Sequence, residues 1–211
     1  MNKVSKRDIG LYVGVIPAKF CDRIIREFHK GFALKEVISG VVSGEGVDEY
    51  RSDDLLVAKD IHLYDHERWD DLNCELHERY IIPVLRDYLR SYRFILQEET
   101  KVDPKSCIVS LYEKDRGHFC PHQDAVGGLS PQRSLTIICY LNTVISGGET
   151  EFINQGYSVA PAVGNILVFP SNFVYTHVGR KPRSGDKYIS VSFASVDVGD
   201  DSKSKALKER S

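Results

Sequence analysis

The sequence has no apolar run near the ~20 residues a membrane-spanning helix needs, so an integral helical membrane protein is not expected. Its opening, MNKVSKRDIG, lacks the apolar core of a secretion signal, and the expectation is a cytoplasmic protein. Neither sign of charge is in excess. Lys plus Arg number 28 against 30 Asp plus Glu, a formal net charge of -2, which argues against a broad basic face for nucleic acid. The five cysteines, at 21, 74, 107, 120 and 139, include no CxxC pair. That excludes a zinc knuckle or a thioredoxin-like dithiol and leaves free thiols packed as small hydrophobes. With 42% hydrophobic and 27% charged residues over 211 positions, a wholly disordered or fibrous chain is excluded, and the length suits one domain.

The expected organisation is a single domain over 1–196, with a helical support region (1–105), a β core (106–196) and a charged, disordered tail (197–211). Phe20, Ile24, Ile25 and Phe28 fall on one helical stripe between Pro17, suited to a first turn, and Gly31, suited to a stop. A second helix is expected near Asp65, with Trp69, Leu72, Leu76 and Tyr80 at spacings of three and four. Pro83 should kink or divide it before Val84, Leu85, Tyr88 and Leu89. Between the helices, 39–59 is rich in Gly, Ser and Asp and reads as a loop or loose hairpin.

From Ser106 the period becomes two. Cys107, Val109 and Leu111 alternate with Ile108, Ser110 and Tyr112, and similar runs follow at 135–141 and 188–193. Short strands separated by turn signals (Gly127-Gly128, Gly147-Gly148, Gly156, Gly164, Pro170) describe an antiparallel barrel or jelly roll. The fold class is therefore mainly β with N-terminal helices.

Within this core, His122 and Asp124 lie two apart, which on a strand places an imidazole and a carboxylate on one face. They read either as a surface ion pair or as two ligands of a two-histidine, one-carboxylate triad that holds Fe(II) and leaves three positions open. A third ligand must come from elsewhere. His177, the only histidine after 122, lies in the strand-like run 173–177 and reads as that ligand or as a satisfied rim residue. Lys187 shares its strand face with Ile189, Val191 and Phe193. It either snorkels to solvent from the strand's first position or meets a bound anion, for which a dicarboxylic acid is suited.

Six blocks, in order, carry a family resemblance: YEKDRG (112–117), PHQD (121–124), RSLTIICYLN (133–142), GGETEF (147–152), VAPAVGNILVF (159–169) and HVGRKPRSGDK (177–187). Over 106–195 the sequence resembles the Fe(II)- and 2-oxoglutarate-dependent oxygenases, and within them the prolyl 4-hydroxylase-like group. The resemblance implies a double-stranded β-helix core and His122, Asp124 and His177 as metal ligands. It implies Lys187 as partner of the distal carboxylate of 2-oxoglutarate, with Tyr140 at the same end and Tyr112 lining the cosubstrate pocket. It places Arg133 where a side chain can face the substrate, and Thr150 and Phe152 where they shape the pocket. The basic loop 179–186 is either a solvated turn, a competitor of Lys187 or a contact for an acidic substrate.

The implied activity uses Fe(II), O2 and 2-oxoglutarate, with ascorbate as a further expected cofactor. It hydroxylates an unactivated C–H bond and yields succinate and CO2. The implied partner is a peptide or protein substrate bearing proline, lying in a groove covered by 39–59; no nucleic acid or membrane partner is expected. A free amino acid, a lysyl side chain or a small metabolite are alternative substrates. A β-helix module that binds a partner without turnover is the reading from another class.

Overall fold

A computed structural model describes residues 2–40, 42–44, 47–50, 56–92, 100–125 and 133–196. The period-two segments become strands of two antiparallel sheets. The larger runs in the order Asn2–Lys6, Ile9–Val13, Ile166–Pro170, Leu135–Tyr140, Lys187–Val196, Thr100–Tyr112, Lys59–His62 and Ile38–Ser39. The smaller runs Tyr157–Val159, Thr150–Phe152, His177–Gly179, His118–His122 and Leu56–Val57.

The central strands are apolar on both faces because both faces are covered. Ile137, Cys139, Ile166, Val168 and Tyr188 pack with the helices. Their alternates Ile138, Tyr140, Leu167, Phe169 and Ile189 pack with Leu56, Phe152 and Val159 of the smaller sheet. Each fully buried Ile, Leu or Val contributes about 1.5–3 kcal/mol relative to exposure. The second of these two cores is the barrel interior, and the candidate site opens from it. The architecture is the expected one: mainly β, a jelly roll with a few helices against its outer face.

The first helix, Ala18–Leu34, follows Pro17 as expected and buries Phe20, Ile24 and Phe28, while Ile25 is partly buried. It does not stop at Gly31. Gly31 lies inside it, where a Cβ would come within 2.5 Å of Ile61 Cδ1, so the glycine serves close packing. Lys35 ends the helix instead, in the left-handed region at φ 60°. Its N–H bonds to Phe32 O, and Glu36 N–H to Gly31 O, the pairing of a Schellman cap.

The second helix begins later than Asp65. Leu63–Asp65 and Glu67–Trp69 are 3-10 turns, and the α-helix opens at Asp70. Leu63 and Trp69 are both buried, yet six residues of α-helix would turn them to different sides. An extended His66 (φ -140°, ψ 108°) resets the phase between them. Pro83 divides the helix as expected. A π turn, His77–Ile81, precedes Ile82–Leu89, and Val84, Leu85, Tyr88 and Leu89 are buried.

The N-terminal region is not only helical support. Asn2–Lys6 and Ile9–Val13 form a hairpin that joins the larger sheet beside Ile166–Pro170. Strand Thr100–Tyr112 starts six residues before the expected boundary at 106. Within 39–59, Val42–Gly44 pairs with Val47–Tyr50 as a hairpin. Residues 41, 45–46 and 51–55, the Gly127-Gly128 turn and the 197–211 tail lie outside the described residues.

Candidate metal centre and anion pocket

His177 opens the strand His177–Gly179 and faces His122, the last residue of His118–His122. Phe173–Tyr175, expected to be strand-like, is a 3-10 turn capped by the Asn172 side chain. Asp124 lies in the bend beyond His122, so the chain's turn, not strand alternation, brings it to the site. The register also slips, for His177 faces His122 while Gly179 faces Phe119, two steps against three. This bulge contains Pro121, which has no N–H to give a ladder. It lets Phe119 and His122 stack, with ring centroids 3.5 Å apart at 13°.

One donor atom from each of His122, Asp124 and His177 lies within 4.8 Å of the other two. His122 Nε2 is 3.6 Å from Asp124 Oδ1, and His177 Nε2 is 3.7 Å from Oδ2. Both distances are long for hydrogen bonds. Nδ1 of His122 lies 2.8 Å from the Cys120 carbonyl, and Nδ1 of His177 lies 3.1 Å from that of Tyr175. A carbonyl only accepts, so each Nδ1 donates, and in a neutral ring that leaves the lone pair on Nε2. Burial, helped by the neighbouring His177 ring, pushes the His122 pKa down to about 4, so its neutral form prevails at pH 7. Two imidazoles and a carboxylate arranged this way fit Fe(II), which takes such donors and keeps positions open.

Lys187 is 1% exposed and faces Tyr112 across the ladder. Its ammonium donates to the Gly148 carbonyl at 3.0 Å and lies 4.5 Å from the Tyr112 ring centroid. Gly147, at φ 73°, makes this turn possible, since a Cβ there would come within 2.3 Å of the Lys181 carbonyl. Burial pushes the Lys187 pKa down to about 8, and Glu149 opposes this from beyond ion-pair range. Among the described residues no carboxylate forms an ion pair with this ammonium. Tyr140 is fully buried and donates to Thr150 Oγ1 at 2.8 Å. Burial raises the pKa of both Tyr140 and Tyr112, which stay neutral. Phe152 and Phe169 pack their rings against His177.

Arg133 sits 3.8 Å from the Phe193 ring centroid and donates to the backbone carbonyl of Asp124 at 3.3 Å. It braces the segment that carries Asp124. In the basic loop, Arg180 pairs with Glu151 and Arg183 with Asp115, all on the surface. Lys187 is the cation that goes inside.

Sequence reasoning missed three buried polar residues: Thr136, Ser171 and Asp60. Thr136 Oγ1 donates to Asp124 Oδ2 at 2.7 Å and lies 2.8 Å from Ser171 Oγ. Asp60 faces Ser110 across the ladder, with Oδ1 unpartnered among the described residues. Burial raises its pKa to about 6, against a Ser110 hydrogen bond that lowers it.

The folded-state pKa of Asp60 thus lies above its unfolded value, so its ionisation costs stability as pH rises from about 4 to 6. Two pKa units correspond to about 3 kcal/mol at most. Asp60→Asn should therefore gain stability relative to the parent by about 1–3 kcal/mol between pH 4 and pH 7. Urea unfolding of both proteins across that range checks this, and parallel pH profiles would refute it.

Residues 107–195 match the model of the 2OG-Fe(II) oxygenase superfamily. Compared with curated protein sequences, the chain matches none. Solved structures match over nearly the whole chain. A prolyl hydroxylase from Trichoplax adhaerens, in complex with a hypoxia inducible factor oxygen degradation domain peptide fragment, is 16% identical, with a TM-score of 0.65, covering 96% of this chain and 87% of its own. A Pseudomonas putida prolyl-4-hydroxylase is 18% identical, with a TM-score of 0.62 and coverages of 90% and 93%. The viral collagen prolyl hydroxylase of Paramecium Bursaria Chlorella virus-1, as a 2OG complex, is 17% identical, with a TM-score of 0.58 and coverages of 90% and 97%. At such identities the likeness shows the fold. No helix among the described residues is long and apolar enough to cross a membrane.

Proposed function

From the premise that residues 107–195 belong to the 2OG-Fe(II) oxygenase superfamily, we propose that the protein is a dioxygenase that hydroxylates a peptidyl proline. One observation carries the reading. A three-residue donor set and a buried ammonium that has no carboxylate ion-paired to it among the described residues occur on the walls of the same barrel.

His122, Asp124 and His177 would hold Fe(II). When bound, the iron, with 2-oxoglutarate and O2, supplies the oxidation that hydroxylates a substrate C–H bond and forms succinate and CO2. The residues of the chain do the rest. Lys187 neutralises the distal carboxylate of the keto acid, which gives the buried ammonium its missing anion. Tyr140 would turn its hydroxyl from Thr150 to the same carboxylate, and the Tyr112 ring centroid lies 4.5 Å from the ammonium. Ile138, Leu167, Phe169 and Ile189 line the barrel interior and exclude water. Arg133, holding the Asp124 backbone, would face the substrate.

A peptide substrate is supported by the fold shared with prolyl hydroxylases, one of which is complexed with a peptide fragment. We place the protein in the cytoplasm, where its free thiols remain reduced. The test incubates the protein with Fe(II), ascorbate, O2 and 2-oxoglutarate, with and without proline-rich peptides. Peptide-dependent succinate, with one oxygen added to a proline by mass spectrometry, is the expected result. Succinate without peptide oxidation would move the substrate to another class. No succinate and no bound metal would make the barrel a binding module.

A further inference from the structure

Behind the Asp124 carboxylate stand two hydroxyls, Thr136 and Ser171, each 1% exposed. Thr136 shares the interior face of its strand with Ile138 and Tyr140. Its Oγ1 contacts both Asp124 Oδ2 and Ser171 Oγ. A carboxylate accepts only, and a threonine hydroxyl has one proton. Thr136 gives that proton to Asp124, so Ser171 must give its own to Thr136. The direction of the chain is thereby fixed, from Ser171 through Thr136 to Asp124. The backbone holds it in place. Ser171 N–H donates to Ser134 O at 3.0 Å, and Ala125 N–H donates to Ser171 O at 2.9 Å. The residue after Asp124 is thus tied to the same serine that orients the threonine.

We propose that Thr136 is a positioning residue which, oriented by Ser171, keeps Asp124 Oδ2 off the metal so that Oδ1 alone coordinates. This rests on the iron-site reading above. The chemistry needs three open cis positions, and a carboxylate bound through both oxygens would fill one of them. The two oxygens lie alike toward the imidazoles, Oδ1 3.6 Å from His122 Nε2 and Oδ2 3.7 Å from His177 Nε2, and the hydrogen bond from Thr136 makes Oδ2 the poorer ligand.

The test uses Co(II) as a redox-silent probe on the whole chain, because its d–d absorption reports coordination number. Wild type should bind Co(II), and Asp124→Ala should not. Thr136→Val keeps the shape and removes the hydroxyl. It should let Oδ2 join the coordination shell, shifting the Co(II) spectrum toward a higher coordination number and changing the affinity about 10–100-fold. Thr136→Ser restores the hydroxyl and should restore both. Ser171→Ala should change both the spectrum and the affinity less than Thr136→Val. Wild-type affinity and spectrum in Thr136→Val would overturn the role, as would an equal change in Thr136→Ser, which would mark a packing effect. If Thr136→Val does not fold, Ser171→Ala decides, and an unchanged spectrum and affinity there overturn the proposal. Wild type indistinguishable from Asp124→Ala, with neither binding, would sink the iron site itself.

Discussion

Asp124→Ala is expected to abolish metal binding and succinate formation while the protein stays folded. Two imidazoles remain, of which the His122 ring is held neutral by burial, and among the described residues the site loses its one anionic donor. A dication then meets no carboxylate in the donor set formed by the described residues. The structural cost is small by comparison. Thr136 loses its acceptor, worth about 1–3 kcal/mol if the hydroxyl finds no other. The bond from Arg133 to the Asp124 backbone carbonyl does not depend on the side chain. For a chain of this length that cost lowers the melting temperature by roughly 2–12 °C. Anaerobic equilibrium dialysis with Fe(II), succinate assay and near-UV circular dichroism separate the effects. Iron retained at wild-type affinity would remove Asp124 from the ligand set.

What the sequence shows of this site, and what it hides, follows from how each contact is made. Lys187 was legible because strand parity is local: Ile189 and Phe193 lie inside, and Lys187 lies inside with them. The residue types of the triad were legible as a motif, but its geometry was not. Asp124 arrives from a bend after the strand, and a bulge at Pro121 aims His122, neither of which alternation can express. Thr136 looked like one more β-branched residue in an apolar strand. Its role depends on Asp124 and Ser171, 12 and 35 positions away. Arg133 could not be read as a brace without knowing that Phe193 lies beneath it.

The same holds for the fold. The N-terminal hairpin escaped because Asn2–Lys6 is an edge strand with almost no buried side chain, so it has no apolar face to betray it. Its turn places Arg7 and Asp8 at positive φ without a glycine signal. Tyrosines far along the chain hold that turn, with Tyr88 donating to the Asp8 carbonyl and Tyr92 and Tyr175 to its carboxylate. By contrast, the buried stripe of Ala18–Leu34 and the break at Pro83 are local, and both were readable.

Replacing Lys187 should move affinity for 2-oxoglutarate and stability in opposite directions. Lys187→Ala deletes one partner of a buried charge pair, a loss of about 2–5 kcal/mol. The 2-oxoglutarate requirement should rise roughly 30-fold to several thousand-fold, with Co(II) affinity little changed. Without ligand, however, the ammonium is a burden. Its folded pKa of about 8 lies below the unfolded value, so the full penalty applies below pH 8 and is relieved as pH rises above it. Lys187→Met, which fills the space without charge, should therefore be about 1–3 kcal/mol more stable than the parent at pH 7. The same titration sets the ligand's pH profile. Affinity for 2-oxoglutarate should be flat below pH 8 and fall up to tenfold per unit above it, and Lys187→Met should lose that dependence. A residue retained only for packing would not trade stability against ligand in this way. If the 2-oxoglutarate requirement were unchanged in both variants, the anchor would have to be sought among Arg180, Lys181 and Arg183.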